Sequence, residues 1–189
     1  DYTEDGGCMD TADPSAVSDR ALERGRKQLG TLGSGNHFME IGIVESVYDS
    51  QAADVFGLSQ GQVTLMIHTG SRGLGHQICD DFLAAMTKKA HQQGIKLPDR
   101  QLVCAPINSP EGRRYYSAMA CAANFAWANR QMLLHMARDV FMQVLGISPR
   151  GLGMRLVYDV CHNIAKIETH PIGGETRNVC VHRKGATRA

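Results

Sequence analysis

Six cysteines stand in 189 residues, at Cys8, Cys79, Cys104, Cys121, Cys161 and Cys180, and no two of them form a C-x-x-C pair. With no short-spaced thiol motif and no signal-peptide pattern, the thiols read as reduced, several of them core residues, in a cytoplasmic protein. No apolar run of about 18 residues is present, so no membrane-spanning helix is expected. An excess of one charge is also missing: Lys plus Arg is 20 and Asp plus Glu is 19, a formal net charge of +1. That balance excludes a broadly basic nucleic-acid clamp and an acidic tail, and it leaves room for a small local anion site. Internal repeats and low-complexity stretches are absent as well. What is present is a 43% hydrophobic content, which excludes wholesale disorder, and 20 glycines, above the roughly 7% share of ordinary chains. The glycines fall in clusters beside histidines.

Length and composition fit one domain, or a large piece of one. Residues 1–13 read as loop and Ser15 to Arg26 as a short helix. Gly30 to Gly35 breaks structure. His37 to Glu45 reads as a strand from the alternation of Met39, Ile41 and Ile43 with Glu40, Gly42 and Val44. Residues 47–61 read as a turn with a small helix, and Gln62 to His68 as a second strand. Leu74 to Gln93 is predicted helical, because Leu74, Ile78, Phe82, Met86 and Ala90 recur every four residues. Ser109-Pro110 opens another helix, Ser as N-cap and Pro at the first position, running to about Leu145. Its apolar residues, including Met119, Phe125, Trp127 and Met132, predict that it is well covered. Arg155 to Cys161, Ile164 to Glu168 and Asn178 to His182 read as strands, with Gly173-Gly174 as a turn. The fold class is α+β: sheet segments at both ends and a helical middle at about 74–145.

Three of the eight histidines share one kind of position, where a predicted strand meets a turn: His37 after Gly33-Ser34-Gly35-Asn36, His68 before Thr69-Gly70-Ser71-Arg72-Gly73, and His162 between Cys161 and Asn163. Strand ends hold side chains rigidly while opening onto a surface, which suits metal ligation. Imidazole suits zinc, manganese, iron or nickel. Structural, hydrogen-bonded histidines are the standing alternative. Three neutral histidines make an incomplete site, and Asp159 and Cys161 are the local candidates to complete it. Thr69 to Gly75 precedes a predicted helix, so its backbone N–H groups and Arg72 could hold a phosphate; a plain glycine turn is the alternative. The segment does not match G-x-x-x-x-G-K-[ST], and Gly33-Ser34-Gly35 enters a strand instead of leaving one, which disfavours a dinucleotide-binding turn. His182, Arg183, Lys184 and Arg188 form a basic end, read either as solvated surface or as a phosphate contact. His76, His91 and His135 fall inside helices with surface or structural roles, and His170 reads as a loop residue. Glu40 could orient a ligand or contact a base, with a surface glutamate as the equal alternative.

Together, Gly30-Thr31-Leu32-Gly33-Ser34-Gly35-Asn36-His37-Phe38, His68 to His76, Ser109-Pro110-Glu111-Gly112, Asn124 to Arg130, Tyr158 to Asn163 and Val181 to Ala189 resemble the RtcB family of RNA-splicing ligases, in order and from about Arg26 onward. The resemblance implies part of an RtcB-like fold and a ligase that depends on GTP and two manganese ions. It also implies RNA as the partner: a 3′-phosphate or 2′,3′-cyclic phosphate end joined to a 5′-hydroxyl in tRNA splicing or RNA repair, by way of a guanylylated histidine. By motif position, His37 would hold one manganese, and His68 and His162 the other. Asn36, His37, Phe38, Met39, Glu40, His162 and Asn163 would line the GMP site. Arg72, Arg183 and Lys184 would contact phosphate or RNA.

Two departures accompany the resemblance. The family's Asp-x-x-C ligands are expected well upstream of Asn36; Asp5 and Cys8 have the spacing but not the context, and are not assigned. The family's guanylylated histidine sits in a Cys-His-Gly-Ala-Gly-Arg segment that these residues do not contain, so no catalytic residue is assigned. The chain is therefore expected to be a piece of the catalytic domain, cut at both ends, inactive alone and weak in metal binding. A catalytically dead nucleotide- or RNA-binding module and a three-histidine metal hydrolase are the competing readings.

Overall fold

Ser109 and Pro110 start the longest element of the chain, much as their sequence predicts. In the computed structural model, which describes residues 2–92, 94–99, 102–185 and 187, the Ser109 hydroxyl accepts from the Gly112 N–H at 3.0 Å, and Pro110 takes a position that needs no donor. The element order is α1 (Asp19–Gly25), β1 (Phe38–Ile43), α2 (Ser50–Phe56), β2 (Val63–His68), α3 (Arg72–Gln92), α4 (Pro110–Leu145), α5 (Pro149–Leu152), β3 (Asn163–Ile172) and β4 (Glu175–Lys184). The 36 residues of α4 span about 54 Å at about 1.5 Å per residue. A left-handed Gly146 ends it.

Small residues let two layers approach α4 closely. On one side Ala118 joins Ala16, Val17, Ala21, Leu74 and Ile78 in a cluster shared with α1 and α3. The four-residue repeat read along α3 is the face that goes inward: Leu74, Ile78, Met86 and Ala90 are buried. Packing between α1 and α3 is tight enough that a Cβ on Gly25 would lie 2.8 Å from the Leu74 Cβ. On the other side Ala120, Ala123 and Trp127 meet Met9, Cys161 and Ile164. The buried Trp127 indole N–H has no acceptor among the described residues. The Lys166 ammonium lies 5.8 Å from the centroid of its ring. Lys166 is itself buried and is paired with Glu4 at 2.6 Å and with Asp5, which fastens the N-terminal segment to β3.

The strands form two separate antiparallel ribbons. β1 pairs with β2 from Phe38↔His68 to Ile43↔Val63, and β3 pairs with β4 from Asn163↔Lys184 to Ile172↔Glu175. The mixed α and β class with strands at both ends of a helical middle is what the structure shows.

Several expectations need correction. Arg155 to Cys161 is not a strand: it has no partner strand, and only Asp159 bridges, to Thr3. Its backbone is served by the N-terminal segment instead, with Glu4 N–H donating to the Asp159 carbonyl at 2.9 Å and Asp159 N–H to the Tyr2 carbonyl at 3.0 Å. The Ser15–Arg26 helix breaks into a 3-10 turn at Pro14–Ala16 and α1, because Ser18 caps α1 anew through the Ala21 N–H. Residues 1–13 include a further 3-10 turn at Glu4–Gly7. His170 lies in β3, since that ribbon runs to the Gly173-Gly174 turn. The far half of α4 is covered along one face only: Leu133 and Ala137 are buried, while Met132, Met136, Val140, Val144 and Leu145 are exposed. Only one of the six cysteines, Cys161, is buried, and all six are free thiols. The predicted helix end at Gln93, and Arg188 of the basic end, lie outside the described residues.

Candidate functional site

The alternation of β1 and β2 sorts their side chains between two faces. Phe38, Glu40, Met66 and His68 share one, and Met39 falls on the other with Ile41 and Ile67. His68 ends β2 directly opposite Phe38, and the two rings meet edge to face at 5.1 Å. From the far ribbon, His162 arrives just before β3 and sets its Nε2 3.4 Å from the His68 Nε2. The ring centroids of these two are 5.2 Å apart, and the His37 ring is 6.4 Å from that of His68. The fold thus brings together the three histidines singled out in the sequence.

His37 is held by its glycine turn. A Cβ on Gly33, which has φ +107°, would lie 2.1 Å from the Arg72 Nη1 and 2.5 Å from the His37 Nδ1, so only glycine lets the turn close over both. Arg72 has φ +54°, a strained conformation for a long side chain. From there its Nε donates to the Thr31 hydroxyl at 3.2 Å, and its Nη1 sits 3.3 Å from the His37 Nδ1. The expectation of an open phosphate nest at 69–75 narrows here. The Gly73 N–H donates to the Gln28 side chain at 2.6 Å and the Gly75 N–H to the Ser71 carbonyl at 3.3 Å, so these donors are already engaged.

Burial holds the His37 imidazole below its ordinary value, with the Arg72 and His68 charges acting in the same direction and a backbone bond to Leu32 opposing. The His162 imidazole is lowered too, by burial first and then by His68, Lys184 and Arg130. Both rings are therefore neutral near pH 7, with a lone pair available to an electrophile.

Two nitrogens each about 2.1 Å from one tetrahedral ion would stand about 3.4 Å apart. The 3.4 Å between the His68 and His162 Nε2 atoms fits such a pair of ligands. The pair is partial, because no group of three His, Cys, Asp or Glu side chains among the described residues could hold an ion. Asp159 and Cys161 do not complete it. The Asp159 carboxylate is paired with the Arg130 Nε at 2.5 Å, and the Arg130 Nη2 approaches the Cys161 sulfur at 3.6 Å. Burial raises both acids, with Arg130 opposing, so the Cys161 thiolate is disfavoured.

The remaining residues divide. Asn36, Phe38 and Glu40 are exposed at or on the histidine face. Asn163 places its amide 3.4 Å from the His162 Nε2, and the Gly185 N–H donates to the His162 carbonyl at 2.8 Å, which keeps Lys184 beside that ring. Arg183 points elsewhere: it is largely buried in an ion pair with Glu168 at 2.6 Å, in a separate cleft of about 870 Å³ that Asp5, Cys8 and Lys166 also line. His76 and His135 make exposed pairs with Asp80 and Asp139, as expected of surface histidines. Asn129 and Arg130 belong to the Asn124 to Arg130 motif but received no site role from the sequence. Their roles show only once burial is known: Asn129 is 0% exposed and holds Thr31, Thr69 and Gly70.

These features define a class: an α+β protein carrying a close pair of imidazoles, an aromatic ring and a strained arginine at the rim of a β-ribbon. Residues 1–189 match throughout the family model described as tRNA-splicing ligase RtcB. The chain is 58% identical over 189 residues to the tRNA-splicing ligase RtcB of Methanocaldococcus jannaschii, covering 100% of the chain and 20% of that relative. It is 56% identical over 188 residues to the protein of the same name from Archaeoglobus fulgidus, covering 100% of the chain and 39% of the relative. It is also 56% identical over 186 residues to the RNA-splicing ligase RtcB of Mycobacterium bovis, covering 98% of the chain and 42% of the relative. The chain belongs to the RtcB family. It spans between 20% and 42% of the length of these relatives. No helix among the described residues is long and apolar enough to cross a membrane.

Proposed function

We propose that these residues are the metal- and nucleotide-handling part of the catalytic domain of a cytoplasmic, GTP- and manganese-dependent RNA ligase. The reaction joins an RNA 3′-phosphate or 2′,3′-cyclic phosphate end to a 5′-hydroxyl end. GMP is carried on a histidine of a Cys-His-Gly-Ala-Gly-Arg segment, which does not occur within residues 1–189. The observation that carries the reading is the 3.4 Å approach of two imidazole nitrogens from ribbons at opposite ends of the chain.

His68 and His162 would share one manganese and His37 would serve the other. A divalent ion there supplies Lewis acidity and charge neutralisation to a phosphoryl group. The chain's own residues do the rest. Phosphoryl transfer needs positioning and charge stabilisation more than covalent chemistry by the protein. Arg72, fixed by Thr31 and next to His37, offers a planar cationic fork to phosphate oxygens. Lys184 adds a point charge beside His162. Phe38 gives a ring edge and an exposed face for a base, and Glu40, two residues along the same face, can accept from base N–H groups. Asn36 and Asn163 add amides that bond either a base edge or a phosphate oxygen. Met39, on the opposite face, would act through the backbone, and Arg183 would reach RNA only by releasing Glu168.

Paramagnetic broadening tests the metal reading on the chain itself. Added Mn²⁺ is expected to broaden the ring resonances of His68, His162 and His37 before those of His76, His91 and His135. Uniform broadening, or broadening led by the helical histidines, refutes it. For the ligase reading, the complete reading frame carrying this segment is given RNA with 2′,3′-cyclic phosphate and 5′-hydroxyl ends. GTP-dependent joining that His68→Ala abolishes is expected; hydrolysis without joining would favour a metal hydrolase.

A further inference from the structure

Two consecutive residues in the middle of α4 hold every segment that carries a candidate ligand. The Asn129 amide accepts from the Thr31 N–H at 3.0 Å and donates to the Thr31 carbonyl at 3.1 Å and the Gly70 carbonyl at 3.2 Å. It thus ties the turn leading to His37 to the turn following His68. Arg130, with its side chain only 11% exposed, reaches the other pair. Its Nη1 donates to the carbonyl of Thr69, the residue after His68, at 3.2 Å. Its Nε and Nη2 reach Asp159 and Cys161, just ahead of His162, at 2.5 and 3.6 Å. The segment before His162 has no strand partner of its own. Arg130 is therefore one of its few fixed attachments, together with the Gln131 side chain on the Asp159 carboxylate, the N-terminal contacts of Asp159 and the Glu4 carboxylate that accepts from the Cys161 N–H at 2.9 Å.

We propose that Arg130 is a positioning residue whose guanidinium, by gripping the neighbours of His68 and of His162 at once, sets the approach of those two imidazoles. Five donors in a rigid plane can serve three acceptors in different directions; a lysine ammonium can keep Asp159 but cannot span Thr69 and Cys161 as well. Groups that hold metal ligands from behind weaken metal binding by about 10–100-fold when removed. The metal half of this inference rests on the proposed function; the geometric half does not.

The test uses the 189-residue chain. Ring-proton cross-relaxation between His68 and His162 is measured by NMR without metal, then apparent Mn²⁺ affinity from ring broadening, in wild type, Arg130→Lys and Asp159→Asn. Backbone amide spectra and thermal melts verify the fold. Wild type is expected to show the His68–His162 cross-peak. Arg130→Lys should lose it while α3 and the β3–β4 ribbon keep their amide shifts, and its Mn²⁺ affinity should fall about tenfold. Asp159→Asn removes the charge that orients the guanidinium and should loosen the rings in the same sense. A cross-peak retained in both variants overturns the proposal. Unfolding of both variants also overturns it, because Arg130 would then be a folding residue. If the cross-peak is lost but wild-type Mn²⁺ binding is indifferent to His68→Ala, the positioning role stands and the metal reading falls.

Discussion

Lys166→Met is the substitution whose outcome the structure constrains most. The wild-type ammonium is buried, its side chain 6% exposed, between the 5%-exposed Glu4 carboxylate and Asp5. Methionine of similar length would fill the volume and leave Glu4 as an uncompensated buried charge. Breaking a buried pair from one side costs about 3–5 kcal/mol. For a chain of this size about 1 kcal/mol moves the midpoint by about 2–4 °C, so the thermal transition should drop by roughly 6–20 °C. Circular dichroism melts and urea titrations at pH 7 read both quantities. The companion is Glu4→Gln in the same background. It removes the stranded charge yet keeps an acceptor for the Cys161 N–H, which Glu4 now holds at 2.9 Å. The double variant should recover a large part of the loss, because replacing both ions of a buried pair is often close to neutral. Recovery should be incomplete, since the cation over the Trp127 ring is also gone. A single-variant loss below about 1 kcal/mol, or a double variant no more stable than the single, would refute the claim that this ion cluster is desolvated and fastens the N-terminal segment.

Gly33→Ala should displace Arg72 and His37, because the new Cβ would meet both within 2.5 Å at a positive φ; about 1–2 kcal/mol of stability and the Mn²⁺-induced broadening of His37 should be lost together. Lowered imidazole values at His37 and His162 mean that the unfolded chain binds more protons there than the folded one. Their contribution to stability is therefore present above about pH 6.5 and is lost as pH falls below it. Titration of the His37 and His162 ring protons should give midpoints under that value, and His162→Asn should reduce the acid sensitivity of the melt. Incubated with α-labelled GTP and Mn²⁺, the 189-residue chain should take up no covalent label, and label on the chain would refute the assignment of GMP transfer to the missing Cys-His-Gly-Ala-Gly-Arg histidine.

Much of the helical framework could be read in advance because its signals are local. The four-residue spacing from Leu74 to Ala90 and the Ser109-Pro110 start need no tertiary knowledge, and both match the structure. The Gly173-Gly174 turn was equally legible, but strand length was not. In a two-stranded ribbon the Pro171 position can face outward, where no ladder bond is required, so pairing continues past it to the turn. Arg155 to Cys161 misled because it resembles strand in composition, while its backbone hydrogen-bond partners come from residues 2–4, more than 150 positions away. The histidines could be singled out by their place at strand ends; that His68 and His162 meet came only from the family resemblance, since spacing is silent on residues separated by 94 positions. Arg130 stood in a recognised motif, Asn124 to Arg130, but its role could not be read because its partners lie 29 to 61 positions off.

The single tryptophan of the chain is Trp127, sealed to 1% exposure where Met9, Ala123 and Ile164 meet, with an ammonium ion near its ring and no acceptor for its N–H among the described residues. Its emission therefore reports from one known place, the junction of the N-terminal segment, α4 and β3. A blue-shifted band that moves to the red before helical ellipticity is lost would mean that this junction opens while α4 persists. Coincident changes would mean that it breaks with the fold as a whole. The protein carries its own optical gauge of whether the segment behind His162 is docked.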